Sequence, residues 1–301
     1  MAILISDKLE ELNKKRQLRL EEMAKTENKL ETLFRSIYDF PQDCKYENKI
    51  TLRNNQNNTD IKGLISYSIG CMFGRYSLDR KGLIFAGGKW DLQMYKSFAP
   101  DKDNILPITD EEYFPDDIVG TFAKFIKTVY GQETFNDNME FIAKTLEIKG
   151  INSTDIIRNY FLKDFYKDHC KLYQNRPIYW LFDSGKQNGF KALIYMHRYD
   201  ENTIGNLRID YLHRMQRIYE NEIARMQETI ENSKDAREVT AATKRKEKLI
   251  KQLQETKEYD EKIAHLALAR TLIDLDDGVK VNYEKVQTDR DGKKLDVLAK
   301  I

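Results

Sequence analysis

The sequence predicts an α+β fold, predominantly helical: a small sheet with a central hairpin covered by helices, plus a long antiparallel coiled helical hairpin. Three observations carry this. Residues 176–200, RPIYWLFDSGKQNGFKALIYMHRYD, hold two apolar runs rich in β-branched and aromatic residues around a turn-forming stretch. Most of the remaining apolar residues recur three or four positions apart, which is helical spacing. Finally, two long periodic stretches are separated only by Asn232-Ser233-Lys234-Asp235, a turn so short that the helices must lie antiparallel.

Taken in order, residues 6–38 read as one helix, with Leu9, Leu12, Arg16, Leu20, Met23, Leu30, Leu33 and Ile37 along a narrow seam suited to a coiled partner. Pro41 stops it, and residues 43–58 form a polar loop. Residues 60–76 form a short helix capped by Thr59 or Asp60, with Gly63, Gly70 and Gly74 on a strip where another backbone could approach. Residues 83–86 and 104–108 are candidate strands, the second an edge because of Pro107. Helices follow at 117–130, 134–148 and 154–172. The hairpin strands are 178–182 and 190–196, with Pro177 opening the first and Asn188-Gly189 supplying positive φ at the turn. Residues 206–230 and 239–275 are the long helical hairpin, which the first helix could complete as a three-helix bundle. Asp276-Asp277-Gly278 ends it, and Val279, Val281 and Tyr283 alternate as a strand or extended tail. The expected units are thus 1–45, a long helix; 46–205, a mixed core; 206–275, the helical hairpin; and 276–301, a tail packing back on the rest.

Charged residues make up 33% of the chain, yet the net charge is only +1. Attraction to nucleic acid or a membrane must therefore come from local patches. Cys44, Cys71 and Cys170 form no CxxC pair, which favours a reducing, cytoplasmic setting. No apolar run is long enough to span a membrane, and Met1 to Ile5 is too short for a signal peptide.

Motifs for chemistry fail at identifiable positions. Gly82 and Gly87 have the spacing of a phosphate loop, but Gly88 stands where Lys is needed and Trp90 follows Lys89, so a glycine turn is the simpler reading. Asp274, Asp276, Asp277 and Gly278 resemble the start of a calcium loop, yet Lys285 occupies the position of the bidentate Glu. His169, His197, His213 and His265 are scattered, and Cys170 beside His169 points elsewhere on a helix. No nucleophile elbow surrounds Ser184 or Cys170. No two prolines are adjacent, so an amino-methyltransferase NPPY or DPPY motif is absent. Catalytic, cofactor-binding and metal-binding residues are accordingly assigned to none.

What remains is basic and aromatic. Arg75, Arg80, Lys81 and Lys89 flank the glycine turn beside Trp90, while Lys186 and Lys191 bracket the hairpin turn and Arg198 follows it. These seven are the DNA-binding candidates, because Arg and Lys on loops can clamp phosphates or reach base edges. The denser run Lys244, Arg245, Lys246, Lys248 and Lys251 reads as a solvated helix face.

The strings ISYSIGCMFGRYSLD at 65–79, the hairpin at 176–200, DYLHRMQRIYE at 210–220 and LDDGVKVNYEK at 275–285 resemble the carboxyl-terminal part of the PglX adenine-specific DNA methyltransferases of BREX phage-defence systems. With LFRSIYDF before them they cover nearly the whole chain, in family order, although Tyr38-Asp39-Phe40 departs from an expected Tyr-Gly-Leu. The resemblance implies a large bacterial enzyme whose amino-terminal half binds S-adenosylmethionine and methylates adenine N6, while its carboxyl-terminal half helps to recognise double-stranded DNA. This chain would then be a non-catalytic piece, truncated or separately encoded, working with the methyltransferase half. The alternative is a helical protein-interaction module that docks other BREX components or a phage inhibitor.

Overall fold

A computed structural model of the chain describes residues 3–38 and 56–301. The helix stop at Pro41, most of the polar loop expected at 43–58, Cys44, and Asp39-Phe40 lie outside the described residues.

Helix α1 (Ile5–Tyr38) buries only Ile5 and Leu9. Its first turns are fastened to two other helices, α2 (Asn57–Met72) and α4 (Phe135–Leu146). The Ile5 N–H donates to Asn138 Oδ1 at 2.8 Å, and Arg16 forks onto the Asp60 carboxylate at 2.5 and 2.7 Å. The three-helix bundle expected with the long hairpin is therefore not formed: α1 docks on the opposite set of helices, and Leu18, Leu30, Leu33 and Ile37 stay exposed. Helix α2 begins at Asn57, before the expected cap, and ends at Met72 rather than at the expected Tyr76; Asp60 lies in its first turn, where Arg16 engages it.

The sheet has three antiparallel strands in the order β1 (Ile105–Pro107), β3 (Lys191–Tyr195), β2 (Tyr179–Asp183). Tyr179 pairs with Tyr195 and Asp183 with Lys191, while Pro107 stands opposite Ala192 on the edge strand, as expected of a residue with no N–H to donate. Pro177 lies just before β2 rather than opening it. Alternation sends Tyr179 to one face, against His169 and Phe73, and Trp180 to the other, against Tyr199 and Tyr283. Both faces are thus covered, which is why the strands read as continuous apolar runs. At the β2 edge, Asp183 N–H donates to Val297 O at 3.0 Å and Ala299 N–H to Leu181 O at 2.8 Å, so residues 297–299 run along the outer side of β2.

On the first face, α3 (Ile118–Tyr130) is capped by Asp117, whose carboxylate accepts from the Val119 and Gly120 amides. The same carboxylate takes a buried fork from Arg158 at 2.8 and 2.9 Å. The single helix expected at 154–172 is two, α5 (Ser153–Lys163) and α6 (Phe165–Leu172), broken at Asp164. After β3 comes a short helix α7 (Thr203–Asn206) and a π-helical turn, Leu207–Leu212, leading into α8 (His213–Asn232). Helix α9 (Ala236–Ala269) returns antiparallel and ends in left-handed Arg270, before the expected Leu275. Val279, Val281 and Tyr283 are not extended: α10 (Gly278–Val286) is a helix, because Val279, Asn282, Tyr283 and Val286 form its inward face while Val281 is exposed. Residues 83–86 are not a strand either, since the Ile84 N–H turns back to Arg75 O at 2.9 Å instead of joining the sheet.

Candidate nucleic-acid interface

The seven basic candidates fall at the two ends of β3. Around its last residue, Tyr195, the chain folds the segment that follows α2 into an aromatic-lined loop. Gly74, at φ 75°, lies flat under Trp90, where a Cβ would come within 2.3 Å of the indole. Trp90 stacks on Tyr95 at 5.3 Å and meets the edge of Phe85 at 4.9 Å. The expected close approach to the glycine strip is thus made by rings rather than by a backbone, with Gly70 likewise covered by Tyr76 and the Tyr179 hydroxyl.

Two candidates are consumed in this packing. Arg75 donates to the Tyr195 hydroxyl at 3.0 Å and to the Tyr76 hydroxyl at 3.3 Å. Arg198 lies over Trp90 at 4.3 Å and donates to the carbonyls of Asp101 at 2.9 Å and Lys102 at 3.1 Å. Arg80, Lys81 and Lys89 are different: they are exposed and their side chains carry no ion pair or hydrogen bond among the described residues.

Arg80 and Lys81 border an open recess of about 580 Å³, lined also by Tyr67, Tyr76, Ser77, Leu78, Asp79, Gly82 and Leu83. Asp79 faces the loop itself. Its carboxylate accepts from the Ser97 hydroxyl at 2.5 Å and the Lys96 and Ser97 amides at 2.7 and 2.9 Å, and the Ser97 hydrogen bonds hold it below the usual carboxylate range. Tyr67 stacks on Tyr76 at 5.2 Å and 25° and is 38% exposed.

At the other end of β3, Lys191 is buried and paired with Asp183 at 2.5 Å. The intervening loop takes positive φ at Gly185 and Asn188, not at Gly189. It is fastened to α9 by Glu255, which accepts from Ser184 Oγ and the Gln187 amide at 2.7 Å each and the Gly189 amide at 2.9 Å. Gln252 adds donation to the Gln187 and Asn188 carbonyls, and the Tyr219 hydroxyl to Gly189 O at 2.8 Å. Lys186 projects from this loop, exposed and without a partner among the described residues. The run at 244–251 is only partly a solvated face: Arg245 and Lys248 converge on Asp110 at 2.9 and 2.6 Å.

Both histidines near Tyr195 are neutral. Burial, with Arg75 close by, pushes His169 down to about 3 and His197 down to about 4. His169 Nε2 accepts the Tyr179 amide at 3.1 Å, so the ring proton sits on Nδ1. Among the described residues no group of three or more His, Cys, Asp or Glu is arranged to hold a metal ion, and no helix is long and apolar enough to cross a membrane.

Sequence reasoning missed Tyr67 and Glu255. Tyr67 follows the buried stripe of α2 without belonging to it, a weak signal, whereas Glu255 meets a loop some seventy residues away and leaves no local trace.

No protein-family model matches the chain. It is 42% identical over 277 residues to the adenine-specific methyltransferase PglX of Lacticaseibacillus casei (strain Zhang), across 90% of this chain and 23% of that protein. The chain matches the carboxyl-terminal region of PglX. The adenine-specific methyltransferase BrxX of Escherichia coli O9:H4 (strain HS) is 41% identical over 262 residues, 83% of this chain and 21% of BrxX. The chain thus spans less than a quarter of the length of these relatives. A PglX likeness over 277 residues takes in the sheet and the helical hairpin together, because no single element is that long.

Proposed function

We propose that this chain is the non-catalytic target-recognition or DNA-clamping segment of an adenine-N6 DNA methyltransferase of a BREX phage-defence system. Double-stranded DNA is then its ligand, and S-adenosylmethionine and methyl transfer belong to the methyltransferase half. The observation that carries this reading is the sorting of the basic residues. Arg75, Lys191 and Arg198 hold the fold together, whereas Arg80, Lys81, Lys89 and Lys186 stand exposed on two loops and unpaired among the described residues. Cations on loops that are not spent within the fold are free to contact phosphates. The similarity to two adenine-specific methyltransferases supports the same reading.

Duplex binding by the chain, followed by fluorescence anisotropy across a salt series, tests it. Each of Arg80→Ala, Lys81→Ala, Lys89→Ala and Lys186→Ala should reduce the slope of log K against log salt by about 0.9 for each phosphate that the parent side chain neutralises. Unchanged affinity and slope in all four would remove these residues from the interface.

A second reading, a surface for another protein, is favoured by α1, where Leu30, Leu33 and Ile37 are exposed. Residues of this kind on a helix suit the apolar groove of a partner such as a defence component or an inhibitor. Pull-down with and without Leu30→Lys and Leu33→Lys separates it from DNA binding.

A further inference from the structure

The recess beside Tyr67 has a composition that phosphate binding alone does not explain. Tyr67 leaves α2 away from the core, yet its ring is not loose: Tyr76 covers one side, and Phe125 meets it edge-on at 6.2 Å and 70°. Tyr76 is itself braced, by Arg75 lying over its ring at 5.5 Å and by Gly70, where a Cβ would stand 2.4 Å from the phenol ring. The result is an oriented aromatic ring, partly exposed at the wall of a recess of about 580 Å³. Because its orientation is already fixed, stacking a planar group on it costs little side-chain entropy.

The rim adds the complementary part. Among the described residues Arg80 and Lys81 have no partner, and Asp79, the carboxylate that lines the recess with them, is turned into hydrogen bonds with Ser97 and Lys96. A partly exposed aromatic ring lining the same recess as two cations suits a group that presents a flat π surface and an adjacent anion. A paired base inside a duplex shows only its edges, since its faces are taken by its neighbours. A nucleotide lifted out of the stack shows both a face and its own phosphate.

Building on the DNA reading above, we infer that this recess takes one unpaired nucleotide of the bound DNA, its base stacked on Tyr67 and its phosphate held by Arg80 and Lys81. In this role the recess reads strand separation or extrusion rather than base-pair edges, and it is indifferent to which base is presented because every base has a π face.

The test compares three probes on the chain: a fully paired duplex, the same duplex with one bulged adenine, and a single strand. Tyr67→Ala should weaken bulge and single-strand binding about tenfold while changing duplex binding less than twofold, and Tyr67→Phe should behave as the parent. Tyr67→Leu, which keeps apolar bulk against Tyr76 but has no π face, should follow Tyr67→Ala, with unchanged circular dichroism. With 2-aminopurine at the bulge, quenching on binding should survive Tyr67→Phe and vanish in Tyr67→Ala. Equal losses on all three probes, or no loss on any, would overturn the stacking role while leaving duplex binding through the four cations intact. A parent chain that binds none of the probes would overturn the DNA reading with it.

Discussion

The two ends of the central strand β3 make an instructive pair. Each presents basic residues from a glycine-containing loop, and in sequence they look alike. At the Lys191 end, the loop is gripped from outside: Glu255 on α9 satisfies three of its donors, and Lys191 is turned inward onto Asp183. At the Tyr195 end, the loop is held from within, by aromatic rings packed on glycines and by arginines spent on hydroxyls and carbonyls, and it leaves a recess open. One end therefore delivers a single cation, Lys186, on a rigid turn. The other delivers Arg80, Lys81 and Lys89 around a partly exposed ring. A basic residue near a turn says little until its partners are known.

Disturbing the gripped end should have the largest effect. Asp183→Ala leaves Lys191 as a buried charge without its partner and should lower stability by about 3 kcal/mol in urea unfolding. An essentially unchanged midpoint would mean that water reaches Lys191. Glu255→Ala removes the acceptor of three hydrogen bonds and should cost about 2 kcal/mol, and the Gln187 and Gly189 amides should lose protection from hydrogen exchange while the Tyr195 end keeps its own.

The Tyr195 end should be distinguished by pH. His169 and His197, at about 3 and about 4, lie below the roughly 6.5 of an unfolded histidine. Above that value both states are neutral and nothing is lost. As pH falls below it, the unfolded chain takes up protons that the folded chain refuses, so stability declines by up to about 1.4 kcal/mol per pH unit for each fully buried histidine, with a smaller share from half-buried His197. Asp101 works in the opposite direction, because burial beside Asp103 pushes it up to about 7 and the folded chain binds that proton first. Between pH 7 and 5 the two effects oppose each other, and Asp101→Asn should make stability in urea fall more steeply with decreasing pH than in the parent. A shallower fall in that variant would reverse the assigned sign. Smallest of all, Arg80→Ala with Lys81→Ala should shift stability by less than about 0.5 kcal/mol, as befits exposed side chains with nothing to release; a larger loss would place them in the packing after all.

Much of the scaffold was legible because it rests on local spacing. The strands of the hairpin, the edge position of Pro107, helix α3 and the antiparallel return after Asn232 follow from apolar runs around a turn, a missing donor, helical spacing and a short connection. The misreadings share a different cause. Val279, Val281 and Tyr283 alternate over too few residues to separate a strand from a helix, and Leu83 to Ala86 are apolar but bond back to Arg75. The candidate site was legible only as a set of seven basic residues. Which of them remain free was decided by Tyr195, Asp183 and the Asp101 carbonyl, all distant in sequence from the residue they engage, or paired across a turn.

The outer edge of β2 carries one more consequence. Its hydrogen-bonding groups are met by Val297 and Ala299, residues made long after the strand itself. During synthesis the sheet therefore waits with an open flank, able to recruit any extended peptide, until residues 297–299 arrive to close it. A chain without residues 297–299 should show self-association during expression first, before any loss of ligand binding.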